Sequence, residues 1–186
     1  MSDLTEFYRQ KKLDITGRNF SDMIDFNDAE LEETHDYIQW LFPLPEVSQF
    51  NQDAPVLSQQ DIEEFKTDPV LKQNLDRSYK TMISFYGFEE DEKTKRVSRS
   101  PDFKKSAENW LTPANHNFLR ISRILRCLSL VGAEDKSKQF FDALKSVYAE
   151  NPSVIGEKTF SFWKAGAESA PLQPQKPNIS LPKLKP

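Results

Sequence analysis

Arg120, Arg123 and Arg126 fall within seven residues, just after His116, and no acidic side chain occurs between Glu108 and Glu134. Three guanidiniums in an acid-free run suit a ligand bearing a carboxylate or phosphate, because each presents a rigid fork of N–H donors to two oxygens. The helix that carries them starts near Asn115, where free backbone N–H groups and the positive end of the helix dipole also favour an anion. His35 is the second of the chain's two histidines. These two imidazoles are the groups able to exchange protons near neutral pH. A ligand-free alternative is that the arginines pair with the acidic stretch of Glu32, Glu33 and Asp36. Cys127 is the one cysteine and sits among Leu125, Leu128 and Leu130. It reads as an inert buried thiol and excludes an internal disulfide framework. No H-x-x-x-H, His/Cys cluster or phosphate-cradling glycine loop occurs, so neither a metal nor a cofactor is expected.

The elements that must position these residues are helical. In the stretch 29–42, Leu31, Tyr37, Ile38, Leu41 and Phe42 follow an acidic first turn, which predicts one helix ending at Pro43. Trp40 and Phe42 read as a hub of the core. Asp68-Pro69 is a start signal, since an acidic cap followed by proline at the first helical position begins a helix with little backbone penalty. From there Leu71, Leu75, Ser78, Met82 and Phe85 form a buried stripe, closed by Gly87. Shorter helices are expected within 2–11 and over 59–66, the latter with a Ser58/Asp61 capping box, and a single turn over 21–26. Three more follow: one from 113–115 to 131, one over 135–149, and one over 153–167 ended by polar and proline-rich sequence. Period-two alternation never persists, so the fold class is all-α.

At 186 residues with 37% hydrophobic and 12% aromatic content, the chain supports one compact multi-helix domain over 1–168. Residues 89–106 mix both charges with serine and read as an exposed, mobile loop. The proline-rich tail, 169–186, reads as disordered. A net charge of −4 gives no global electrostatic case for nucleic acid or an acidic membrane. Without a secretory start or a run of about 20 apolar residues, the expectation is a soluble cytoplasmic protein with no transmembrane segment.

The stretch from His35 to Glu46, His-Asp-Tyr-Ile-Gln-Trp-Leu-Phe-Pro-Leu-Pro-Glu, closely resembles the signature of the conserved N-terminal domain of the opioid growth factor receptor family. Three stretches support the resemblance in the same order: Ser84 to Phe88, Asn109-Trp110 followed by His116-Asn117, and Leu119 to Leu125. The resemblance implies an intracellular receptor, in animals a nuclear or perinuclear one, that binds the pentapeptide Met-enkephalin and restrains proliferation. It brings no catalytic residues with it.

Two functional readings follow. In the first, a non-enzymatic module binds a peptide or small anionic ligand, or a protein partner, between the helix ending at Trp40–Phe42 and the helix from Asn115 to Arg126. Trp40 and Trp110 supply an apolar wall, Arg120 and Arg123 take the anion, and Asn115, His116 and Asn117 line the start of the second helix. In the second, an enzyme uses His35 and His116 as acid and base on a phosphate- or carboxylate-bearing substrate, with Asn115 or Asn117 orienting one imidazole and Arg120 and Arg123 stabilising charge.

Overall fold

Side-chain caps set five of the helix starts. The computed structural model describes residues 1–49 and 51–169. Among these the elements run α1 (Asp3–Tyr8), α2 (Phe20–Ile24), α3 (Asp28–Glu33), α4 (Tyr37–Leu41), α5 (Gln59–Thr67), α6 (Pro69–Phe85), β1 (Phe88–Glu90), β2 (Val97–Arg99), α7 (Phe103–Trp110), α8 (Asn117–Leu130), α9 (Glu134–Glu150), α10 (Pro152–Ile155) and α11 (Glu157–Ala167). Ser2, Asn19, Asn27 and Ser58 each accept a hydrogen bond from the third helical N–H, and the side chain at that position accepts one from the backbone N–H of the cap. Two of the four orphan donors at each start are thereby satisfied. Asp68 caps α6 through Val70 and Leu71, with Pro69 at the first turn. The stripe read from sequence on α6, Leu71 to Phe85, is buried throughout.

The buried side chains form one contiguous cluster. Phe7, Tyr8, Phe20, Trp40 and Phe65 make one aromatic group within it, with Phe7 and Trp40 rings 4.9 Å apart. Tyr86, Phe88, Phe103, Trp110 and Phe140 make another. Helix α11 lies directly on α8: a Cβ added to Gly166 would stand 3.1 Å from the Ser122 carbonyl oxygen and 3.3 Å from the Arg126 nitrogen. A side chain there would be tighter than most real Cβ contacts, so glycine suits this close approach of the two backbones. Trp163 anchors the same contact by donating from Nε1 to the Phe118 carbonyl at 3.0 Å.

The structure departs from the sequence reading in three places. The single helix expected over 29–42 is two, because Thr34 takes an extended backbone conformation and ends α3, leaving His35 at the corner before α4. Over 89–106, where a loop was expected, β1 and β2 pair antiparallel with Phe88 opposite Arg99, and α7 begins at Phe103. Asp91 holds the intervening turn by accepting from the Lys93 and Thr94 N–H groups, and its carboxyl lies below the usual range for that reason. The helix expected over 153–167 is divided by Gly156, whose φ of +82° belongs to the left-handed region. From residue 170 on, the proline-rich tail lies outside the described residues. Among those that are described, no helix is long and apolar enough to cross a membrane.

Candidate functional site

On α8, positions 116, 119, 120, 123 and 126 recur at spacings of three and four, so they share one face over about 15 Å of helix. That face floors a groove of about 600 Å³. His35, Ile38, Gln39 and Leu44 form one wall, and Phe162, Ala165, Gly166 and Ser169 at the end of α11 form the other. Leu119 and Phe162 are 58% and 49% exposed, so the rim presents apolar surface to solvent.

The three arginines have different duties. Arg120 is 6% exposed and caps the end of α3, donating from Nη1 to the Leu31 carbonyl and from Nη2 to the Thr34 carbonyl, both at 2.8 Å. Carbonyls at a helix C-terminus lack partners of their own, and a buried cation satisfies them. Arg126 forks onto Glu46 at 2.9 and 2.5 Å, which holds the Glu46 carboxyl below the usual carboxylate range. Arg123 donates from Nη1 to the Phe42 carbonyl at 3.0 Å and, among the described residues, meets no carboxylate in an ion pair. Burial pulls its pKa down, since desolvation disfavours the charged form. A guanidinium nonetheless stays protonated in proteins. None of the three pairs with Glu32, Glu33 or Asp36. Arg18 holds Asp36, while Asn117 and His116 meet Glu32.

The two imidazoles converge, with ring centroids 5.5 Å apart in an edge-on arrangement. His35 Nδ1 lies 3.2 Å from Arg120 Nη2. A guanidinium has no acceptor, so in this contact Nδ1 is the acceptor. His116 Nε2 lies 3.3 Å from Glu32 Oε1. The same Nε2 lies 3.4 Å from Asn117 Nδ2, so both rings have polar partners within the fold. Burial, followed by the Arg120 charge, depresses the His116 pKa below its ordinary value near 6.5, against the opposing pull of Glu32. A histidine depressed in the folded state contributes stability above pH 6.5 that is lost as pH falls through the folded pKa. The expected result is that His116→Gln flattens the acid side of the midpoint-versus-pH curve between pH 7 and 5, read by thermal denaturation. Parallel curves for the two proteins would show that this imidazole does not titrate differently on folding.

Asn115 and Asn117 organise the start of α8 rather than the groove. Asn115 Oδ1 accepts from the Asn117 backbone at 2.9 Å, and the Phe118 N–H donates to the Asn115 carbonyl. The first-turn donors read from sequence as free for an anion are thus already engaged. Asn117 is fully buried, its Oδ1 accepting from Tyr86 and Arg120 and its Nδ2 donating to Glu32 and Asn115.

Trp40 and Trp110, read from sequence as the apolar wall, lie in the core instead. Trp40 packs on Phe7, and Trp110 donates from Nε1 to the Tyr86 carbonyl at 3.1 Å with no exposed surface. The wall is built from Ile38, Leu44, Leu119 and Phe162. Sequence reasoning also passed over Gln39, 5% exposed on the groove wall, whose buried Oε1 has no hydrogen-bond partner among the described residues. The signal available for it was a polar residue inside an apolar run, between Ile38 and Trp40.

Residues 7–154 match the family described as "Opioid growth factor receptor (OGFr) conserved region". The chain is 44% identical over 105 residues to the rat opioid growth factor receptor, covering 56% of this chain and 18% of that protein. The human opioid growth factor receptor is 40% identical over 118 residues, 63% of this chain and 16% of the relative. Opioid growth factor receptor-like protein 1 of Xenopus tropicalis is 41% identical over 106 residues, 57% of this chain and 20% of the relative. The chain thus spans about a fifth or less of the length of these relatives. No solved structure matches it. Two sides of the groove fall inside the matched region, and α11, which supplies the third, falls beyond it.

Proposed function

Since this chain belongs to the family defined by the opioid growth factor receptor conserved region, we propose that it works by binding, and that the groove between α4, α8 and α11 takes a short peptide or another small ligand with an anionic group. The observation that carries this reading is Arg123, a cation set into an apolar groove with one carbonyl bond and no carboxylate partner among the described residues. Arg123 is partly desolvated and held by a single carbonyl bond, and a ligand oxygen arriving there adds a charge-assisted hydrogen bond. Gln39 supports the same reading, because a buried acceptor left unpaired costs about 1–3 kcal/mol and a ligand N–H would satisfy it. The size of the groove and its mainly apolar lining with a few polar groups match the general character of small-ligand sites. Receptor action of the kind named for the relatives, and a cytoplasmic setting for it, are part of this proposal.

The test is a thermal-shift screen with Met-enkephalin, other short peptides and small organic anions. A ligand at about 100 times its dissociation constant adds roughly 2.7 kcal/mol, which for a chain of this size raises the midpoint by about 5–10 °C. Leu119→Glu places a negative charge on the exposed rim and leaves the core untouched, so it is expected to abolish the shift while keeping the ligand-free midpoint. An undiminished shift in that variant would place the binding elsewhere.

A further inference from the structure

Resting on the groove as the binding site, a narrower statement follows from counting the charges that face it. We propose that the groove selects a singly charged carboxylate on an apolar body over a phosphoryl group, with Arg123 binding the carboxylate and Glu46 setting the charge limit. From α8, Arg120 is committed to the Leu31 and Thr34 carbonyls and Arg126 to Glu46, so neither offers a free fork. His35 Nδ1 is taken up by its contact with Arg120, and His116 sits against Glu32 with its protonated form disfavoured by burial. On the α11 side, Lys158 lies 5.9 Å from the Phe162 ring but does not line the groove. Carbonyl bonds leave the Arg120 charge in place but spend its donors, so Arg123 is the one positive charge with donors left for a ligand.

A carboxylate matches that charge and brings two acceptor oxygens. A phosphate monoester brings a charge of about −1.5 to −2 at neutral pH, and the excess has no partner. Glu46 makes the mismatch worse, because its carboxylate takes the fork of Arg126, which would otherwise offer the groove a second charge. The rest of the lining, Ile38, Leu44, Leu119 and Phe162, is apolar and covers the ligand's body. Two sources supply this chemistry, the C-terminal end of a peptide with apolar residues and a free aliphatic or aromatic acid.

The experiment is a fluorescence titration of the full chain with three matched probes: N-dansyl-phenylalanine, its C-terminal amide, and the monophosphate ester of N-dansyl-phenylalaninol. The carboxylate is expected to bind at least tenfold more tightly than the amide and more tightly than the phosphate. Arg123→Gln, which keeps a donor for the Phe42 carbonyl, should erase the difference between carboxylate and amide, and Arg123→Lys should restore part of it. Glu46→Gln changes an exposed residue and frees Arg126, so the phosphate ester should gain about tenfold while the carboxylate gains less. Displacement of the carboxylate probe by an N-acetylated tripeptide of apolar residues assigns the peptide end; displacement by decanoate assigns the free acid. Equal binding of all three probes, tighter phosphate binding in the unaltered protein, or an unchanged carboxylate preference in Arg123→Gln would each overturn the charge selection and leave the groove as a binding site. Failure of every probe to bind would retire the groove itself, and this inference with it.

Discussion

Arg120→Leu is expected to lower folding stability by about 3 kcal/mol or more, a fall of roughly 6–12 °C in the thermal midpoint. The substitution removes bonds to two main-chain carbonyls, at 2.8 Å each, together with the contacts to Asn117 Oδ1 and His35 Nδ1. Leucine fills part of the space and offers no donor. Tyr37 still donates to the Leu31 carbonyl at 3.1 Å, so the Thr34 carbonyl and the Asn117 amide lose most. Because these bonds join residues 86 and 89 positions apart, they fix the α3–α4 corner against α8. Arg123→Leu, which breaks a single carbonyl bond, should cost only about 1 kcal/mol. The comparison is made by urea denaturation of both variants. Equal, small losses would show that the corner is held by apolar packing alone. The pair also separates two roles that sequence spacing cannot distinguish: Arg120 holds the α3–α4 corner, and Arg123 is the residue proposed to meet a ligand.

Trp110→Ala should be more damaging, at about 3–5 kcal/mol, because it deletes the largest kind of side chain from a site with no exposed surface. The indole packs edge-on against Tyr86 at 5.6 Å and near Phe88 and Phe103 at 6.4 and 6.5 Å between ring centroids. It also caps the Tyr86 carbonyl, where α6 ends. The cavity left behind adds to the lost transfer energy, since the surrounding rings relax only partly. Trp110→Phe keeps most of the volume and loses the N–H, so a smaller cost of about 1–2 kcal/mol is expected. Under conditions where either variant remains folded, ligand affinity at the groove should equal that of the parent. Denaturation curves and a titration on the same sample check both statements. A loss of affinity in a folded Trp110→Phe protein would return Trp110 to the binding surface.

Part of the helical framework was legible because several starts have a local chemical cause. Asp68-Pro69, Ser58 with Asp61, and the stripe from Leu71 to Phe85 state their structure within a few residues. The helix pair carrying the groove was also visible, through the apolar run before Pro43 and the acid-free stretch after Asn115. What escaped depends on partners distant in sequence. Nothing in Thr34-His35-Asp36 announces a helix end; the end is stabilised by Arg120, brought there by the fold. Strands of three residues are too short for alternation to register, and the hairpin is held by an aspartate turn and by Arg99 lying over Phe103 at 4.6 Å. Trp40 and Trp110 were readable as buried aromatics and equally as a wall, because periodicity fixes which residues share a face and not what that face meets. Gly166 gave no local sign that it would let α11 become the third side of the groove.

The burial of Trp40, Trp110 and Trp163, at 4%, 0% and 0% exposure, has a spectroscopic consequence. With all three of the chain's indoles out of water, native emission should be blue-shifted and insensitive to aqueous quenchers such as iodide, and unfolding should move it to the red as every indole is hydrated. Excitation of the intrinsic chromophores therefore follows the core in each variant without a label, while the dansyl signal follows the groove.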